Sequence, residues 1–126
     1  AANSALIDAA MKGNIESIKQ HLDAGASVSA KDVNDWTPLY YAPNNEIAEL
    51  LITRGADVNA IDERGWSPLH AAAMGEEETI EFLIANGADV NAKIASGSYK
   101  GMTPLDLASK AEIVDLIRKH GGESGK

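Results

Sequence analysis

Ser67 and His70 lie three residues apart. A hydroxyl and an imidazole within reach of each other are the raw material of nucleophilic catalysis, the imidazole taking the hydroxyl proton. That chemistry also needs a carboxylate to orient the imidazole, and the surrounding sequence indicates none. Ser67 directly precedes Pro68, so its hydroxyl is instead placed to cap a helix, with proline at the first helical position where no amide is needed. The run Glu76-Glu77-Glu78 with Glu81 is the densest set of carboxylates. Hard cations need several oxygens converging from a tight loop, and no Asp/Asn/Gly loop of that kind is present. A solvated helix start, favoured by the helix dipole, accounts for the run. His21 and His120 each fall near the C-terminal end of an expected helix, where a cation is welcome. Gly121-Gly122 lacks the preceding strand and following helix of a phosphate loop. Cysteine is absent, which removes disulfides, thiolate catalysis and Cys-ligated zinc from this sequence. No catalytic, cofactor or metal set is therefore expected.

The elements that would hold these residues are repeated. Gly55-Ala56-Asp57-Val58-Asn59-Ala60 recurs letter for letter as Gly87-Ala88-Asp89-Val90-Asn91-Ala92, after a degenerate copy, Gly25-Ala26-Ser27-Val28-Ser29-Ala30. A second motif keeps step with it: Thr37-Pro38-Leu39, Ser67-Pro68-Leu69 and Thr103-Pro104-Leu105. Two motifs in phase at a period near thirty residues indicate a stack of supersecondary units. In the unit around Ser67, the spacing predicts a first helix from about Pro68 to Met74, broken by Gly75. A second helix then places Thr79, Ile80, Leu83 and Ile84 on one face and leaves the glutamates for solvent. Gly87 supplies a left-handed C-cap that a Cβ would penalise. Tyr40 and Asp106 stand where His70 stands in its unit, which weakens any catalytic reading of that position.

The pattern resembles the ankyrin repeat, D-x-x-G-x-T-P-L-H-x-A-A…G…E-I-V-x-L-L-L-x-x-G-A-D-V-N-A, in type, order and spacing over nearly the whole chain. The resemblance implies an all-α ankyrin-repeat solenoid of stacked helix-turn-helix units with β-turn or hairpin fingers. It implies a single domain over 1–126 with units at about 3–30, 31–60, 61–92 and 93–124. The first unit lacks the T-P-L signature, as a terminal repeat often does, and the solenoid is expected to be complete at both ends. In such proteins the His at position 70 bonds neighbouring loops and holds repeat to repeat.

The departures from the family pattern are local. Tyr41 to Glu46 and Leu107 to Glu112 each span five steps where the pattern has eight, so the second and fourth units lose about three residues between their helices. Pro43 helps end the shortened helix. The third unit is one residue short at Met74-Gly75. The stretch Lys93–Met102 is four residues longer than Ile61–Trp66, an insertion in the last finger. Loop length is cheap, each doubling costing about 0.6 kcal/mol, and this loop lies where the family usually meets its partners.

Trp36 and Trp66 directly precede the T-P-L motif, and Met102 takes the same place in the last unit. In an ankyrin architecture that position lies near the finger and faces the concave side. Two readings stay open: the side chains stack along the fingers as scaffold, or they form an exposed apolar stripe of the kind that anchors interfaces. The family's variable contact positions fall on Val33, Asn34 and Trp36, on Glu63, Arg64, Trp66 and Met74, and on Tyr99, Lys100, Met102 and Lys110. Met11 and Lys12 extend the row, and Tyr41 joins it where the shortened helix opens the groove.

With 126 residues and 44% hydrophobic content the chain can bury a core. Stability should come from interfaces between neighbouring units. A net charge of −8 with only 11 basic residues argues against non-specific nucleic-acid binding, which needs clustered Lys and Arg. No stretch approaches the roughly 18 apolar residues of a membrane span. The chain begins Ala1-Ala2-Asn3, which suits a cytoplasmic protein trimmed at its start or an exported, periplasmic one with a processed N-terminus. The expected function is binding of another protein through the finger and concave surface, by a monomer. The "ADVNA" repeats and the Arg118-Lys119-His120-Gly121-Gly122 ending resemble bacterial ankyrin proteins, among which regulators or inhibitors of a partner enzyme are an expectation. The alternative is a structural spacer or a fragment of a larger ankyrin protein; sparse Trp and Met exposure or a disordered 93–102 finger would favour it.

Overall fold

The computed structural model describes residues 2–75 and 77–125. Helices fall in pairs: α1 (Ala2–Lys12) with α2 (Ile15–Asp23), a 3-10 turn (Pro38–Tyr41) with α3 (Asn45–Thr53), α4 (Pro68–Met74) with α5 (Glu77–Ala85), and α6 (Pro104–Leu107) with α7 (Ala111–Lys119). The first two pairs fold at a break that an asparagine caps. Asn14 and Asn44 accept the amides of Ser17 and Ile47 with their side chains, satisfying donors that a helix start leaves free. Ser67 caps α4, and Gly75 ends it, as the spacing predicts. Gly25, Gly55, Gly87 and Gly121 follow the second helices with φ between 90° and 102°, a conformation that a side chain would strain.

The first helices form one layer: α1 packs on the 3-10 turn, the turn on α4, and α4 on α6. In the second layer α3 packs on α5 and α5 on α7. Leu6, Ile18, Leu39, Ile47, Leu51, Leu69, Ile80, Leu83, Ile113 and Ile117 make a contiguous core between the layers. Ala9, Ala10, Ala48, Ala72 and Ala73 are buried among them, and their small side chains let helices approach closely. Thr79 is buried, while Glu78 and Glu81 are exposed; Glu76 and the side chain of Glu77 lie outside the described residues.

The two shortened units behave alike. The residues after Thr37 complete only a 3-10 turn, and Ala42, held extended ahead of Pro43 (φ −60°, ψ 119°), ends it because proline disfavours a helical predecessor. α6 likewise stops after four residues, and the Ser109 amide donates to the Ala73 carbonyl at the end of α4 (3.2 Å).

The recurring Asp-Val-Asn segments join the pairs. Asp57 and Asp89 accept the amides of Asn59 and Asn91 (2.8 and 3.0 Å), turning the chain so that each asparagine reaches the next unit. Asn59 donates to the Gly87 carbonyl (2.9 Å) and accepts from the Asp89 amide (2.8 Å). Asn91 repeats this with the Gly121 carbonyl (3.2 Å) and the Glu123 amide (2.8 Å). At the degenerate copy Ser29 stands in that place, and the Arg54–Asp23 ion pair (3.1 Å) joins the second unit to the first. The fingers contain no strand among the described residues; they are turns, one of the two forms that the resemblance implies. Each of these fingers closes with the same bond between its arms, Asp32 N–H donating to Trp36 O, Asp62 N–H to Trp66 O and Ile94 N–H to Met102 O (3.0 Å each), and the longer last finger adds a bond from Gly101 N–H to Ile94 O (2.7 Å).

Candidate protein-binding surface

Asp32 and Asp62 each open a finger four residues before a tryptophan. One carboxylate oxygen of Asp32 accepts the amides of Asn34 and Trp36 (2.8 and 3.1 Å). Asp62 does the same for Arg64 and Trp66 (2.8 and 2.9 Å). The remaining oxygens hold the aromatic residues: Asp62 accepts the Trp36 indole N–H (2.8 Å), and Asp32 accepts the Tyr41 hydroxyl. Burial, followed by that bond to Asp32, raises the Tyr41 pKa.

The rings so placed form a continuous array. Trp36 stacks on Tyr40 (centroids 4.9 Å, planes 15° apart) and meets Tyr41 at 5.5 Å and Trp66 at 6.3 Å. Trp66 lies 6.0 Å from His70 and takes Tyr99 edge-on at 5.3 Å and 82°. Behind the array, one position repeats the same task with three different residues. The Tyr40 hydroxyl has one proton for the carbonyls of Ala60 (2.9 Å) and Trp66 (2.7 Å), and burial raises its pKa well above the ordinary phenol value. His70 directs Nε2 at the carbonyls of Ala92 (3.0 Å) and Met102 (3.3 Å). Asp106 accepts the amides of Thr103 (3.0 Å) and Gly125 (2.8 Å) and the Ser124 hydroxyl (2.8 Å). Each residue ties its own unit to the loop that follows.

The chemistry of Ser67 and His70 follows from those partners. Carbonyls only accept, so Nε2 carries the proton and Nδ1 accepts, from the Ser67 amide (3.1 Å) and hydroxyl (2.8 Å). His70 is 0% exposed, and burial lowers its pKa against the opposing bonds to Met102 and Ala92. The pair is a capping box closed by a neutral imidazole, not a base facing a substrate. At Asp106 burial acts to raise the pKa, but the bonds from Gly125, Thr103 and Ser124 prevail and hold it below the usual carboxylate range.

A cleft of about 440 Å³ opens over the array between the second and third fingers, lined by Val33, Asn34, Trp36, Glu63, Arg64, Trp66 and Tyr99 together with Asp35 and Asp62. Seven of the residues expected from sequence thus meet at one place. Tyr41 and Met74 line a neighbouring groove of about 260 Å³ that the shortened helix leaves against α4. Lys100 and Lys110 are exposed and Met102 half-buried, and they line neither opening; Met11 and Lys12, exposed at the end of α1, do not either.

Exposure within the row bears on the two readings left open for the tryptophans. Trp66 is only 8% exposed, so it forms the floor of the cleft and not part of an exposed stripe. Trp36 is half-buried. The outward positions are Val33, 100% exposed, and Tyr99, 42% exposed. The cause is the inserted loop. Ile94 is buried, and the amides of Ala95 and Ser96 donate to the Arg64 carbonyl (2.6 and 3.3 Å), drawing the last finger over the third. Gly65 (φ +91°) permits this approach, since a Cβ there would stand 2.8 Å from the Ala95 nitrogen. Sequence reasoning missed Asp32, Asp35 and Asp62. The shared Asp-x-x-x-Trp spacing of two of them was the available signal.

Among the described residues no three His, Cys, Asp or Glu side chains converge to hold a metal ion, and no helix is long and apolar enough to cross a membrane. None of the curated proteins compared with the chain matches it. A family model of ankyrin repeats in three copies matches residues 6–94 and, in a second register, residues 44–124. Repeats of this kind are in general protein–protein interaction modules and not catalysts. With the helix pairs, the glycine caps and the asparagine bridges each in the register of that pattern, the chain belongs to the ankyrin-repeat family.

Proposed function

We propose that this chain binds a partner protein through its fingers and concave face and acts as a regulator or inhibitor of a partner enzyme. The observation that carries the reading is the ring-floored cleft between the fingers, rimmed by exposed Val33 and Tyr99. Aromatic and apolar side chains at the centre of a patch with a polar rim are the usual composition of an interface. The caps and asparagine bridges hold the surface in place before binding, which limits the ordering cost on docking. In this reading the chain is a monomer of four units, at about 3–30, 31–60, 61–92 and 93–124, and its contact row is the twelve positions from Val33 to Lys110 given above. One observation favours the spacer alternative: Trp66 is buried and the Trp36 indole is occupied by Asp62, so both tryptophans also serve the scaffold.

The test is affinity capture with the wild-type chain beside a Val33→Asp/Tyr99→Ala variant, both first shown to have the same helical circular dichroism. A partner held by the wild type, lost by the variant and inhibited on mixing with the wild type is the expected result. Equal capture by both, or a captured enzyme that keeps full activity, refutes the site or the inhibitory role respectively.

A further inference from the structure

The charges around the cleft are one-sided. Asp35, Asp62 and Glu63 line it against Arg64 alone, in a chain of net charge −8. The three carboxylates are not equivalent. Asp62 already accepts from the Trp36 indole and two amides, three of its roughly four lone-pair sites, so it contributes mainly field. Half-buried Asp35 shares an ion pair with exposed Lys31 at 3.6 Å, a contact near the surface of the kind that holds a carboxylate weakly. Glu63 is exposed at the mouth. Arg64 is drawn toward the last finger, where its side chain crosses Gly97 and would lie 3.3 Å (Cδ) from a Cβ at that position.

We propose that the cleft receives a cationic side chain, arginine or lysine, projecting from a basic segment of the partner. The inference rests on the protein-binding reading above and specifies the chemistry of its occupant. Ring faces attract cations through their quadrupole, tryptophan most strongly, and Trp36, Trp66 and Tyr99 all contribute surface to this space. A long aliphatic stem with a charged tip matches the rest of the lining: the stem lies along apolar Val33 and the rings while the tip stays with Glu63 and Asp35 in partly solvated surroundings. A purely apolar side chain would strip water from those carboxylates without replacing it, and an anionic one would be repelled by them.

The test is a titration of the whole 15N-labelled chain with acetyl-Gly-Gly-Arg-Gly-Gly-amide, following the indole N–H signals of Trp36 and Trp66. The matched peptide carrying citrulline keeps the shape, exchanges one amino donor for a carbonyl acceptor and lacks the charge. Saturable shifts of both indoles with the arginine peptide, much smaller shifts with citrulline, and weakening by roughly two- to fivefold in Glu63→Gln are expected. High salt should weaken the same shifts. No shift with the arginine peptide, an equal response to citrulline, or full retention of binding in both Glu63→Gln and Asp35→Asn overturns the proposal. A partner captured through Val33 and Tyr99 while the arginine peptide is ignored removes this inference alone. An arginine response with no captured partner leaves the cleft chemistry standing and removes the interaction role.

Discussion

Replacing Trp66 by alanine is expected to damage the fold more than any surface contact. Its side chain is 92% withdrawn from solvent, being 8% exposed, and touches rings from three directions, Trp36, His70 and Tyr99. Truncating a buried aromatic costs about 3–5 kcal/mol, a range that already includes about 0.5–1.5 kcal/mol for each ring pair. Against a total stability of about 5–15 kcal/mol for a domain, that is a large share. The position sits where the second, third and last fingers meet, so the loss should also loosen one unit from the next. A repeat protein then unfolds less cooperatively, with a shallower denaturant slope. Urea unfolding followed by far-ultraviolet circular dichroism reads both quantities. Trp66→Phe should keep most of the stability, losing about 1–1.5 kcal/mol. If Trp66→Ala instead loses under about 1 kcal/mol with an unchanged slope, the buried-floor assignment is wrong and Trp66 belongs to the exposed stripe after all.

Gly65→Ala should cost about 1–3 kcal/mol, combining a positive φ with a close approach to the Ala95 backbone that has no flexible end to yield; its thermal midpoint relative to Gly97→Ala, where the close neighbour is the Arg64 side chain, checks the assignment. His70 should make the fold acid-sensitive. Its folded pKa lies below the usual 6.5, so its stabilisation is complete above about pH 6.5 and is lost as the pH falls toward the folded value, because the unfolded chain takes up the proton first. Asp106 follows in a separate window: its folded pKa is depressed below 3.8, so its contribution holds above that pH and is lost as the carboxylate is protonated below it. Denaturation midpoints measured from pH 8 to pH 3 should show the first decline in the wild type and not in His70→Gln, and a persistent first decline in that variant would move its cause to another group.

The helical fold was legible because its determinants are local. Ser67, Pro68, Gly75 and Gly87 act within a few residues of where they stand, and the structure ends α4 at Met74 before Gly75, as those residues predict. The shortened first helix of the second unit was legible for the same reason, since Pro43 constrains its neighbour directly. What the sequence concealed depends on partners far along the chain. The recurrence of Asn59 and Asn91 is plain, but their bonds reach Gly87 and Gly121 in the following units. The burial of Trp66 depends on Tyr99 and on the bonds from Ala95 and Ser96 to Arg64. A loop insertion shows in a sequence as length; the direction in which it folds does not. Residue type also obscured the shared task of Tyr40, His70 and Asp106, which have little in common except a hydrogen-bonding group at the right reach.

Floor and rim of the cleft therefore answer to different constraints. Trp66, Trp36 and Asp62 each hold two or more neighbours, and a change at any of them disturbs the junction of units before it touches a partner. Val33 and Glu63 project outward, where a substitution typically changes stability by less than about 0.5 kcal/mol. A new partner can be accommodated at those positions while the scaffold beneath is unchanged. Tyr99 belongs to both sets, being 42% exposed yet edge-on to Trp66. The inserted finger thus links the two: it closes the aromatic floor with one side of a ring and offers the other side to whatever docks.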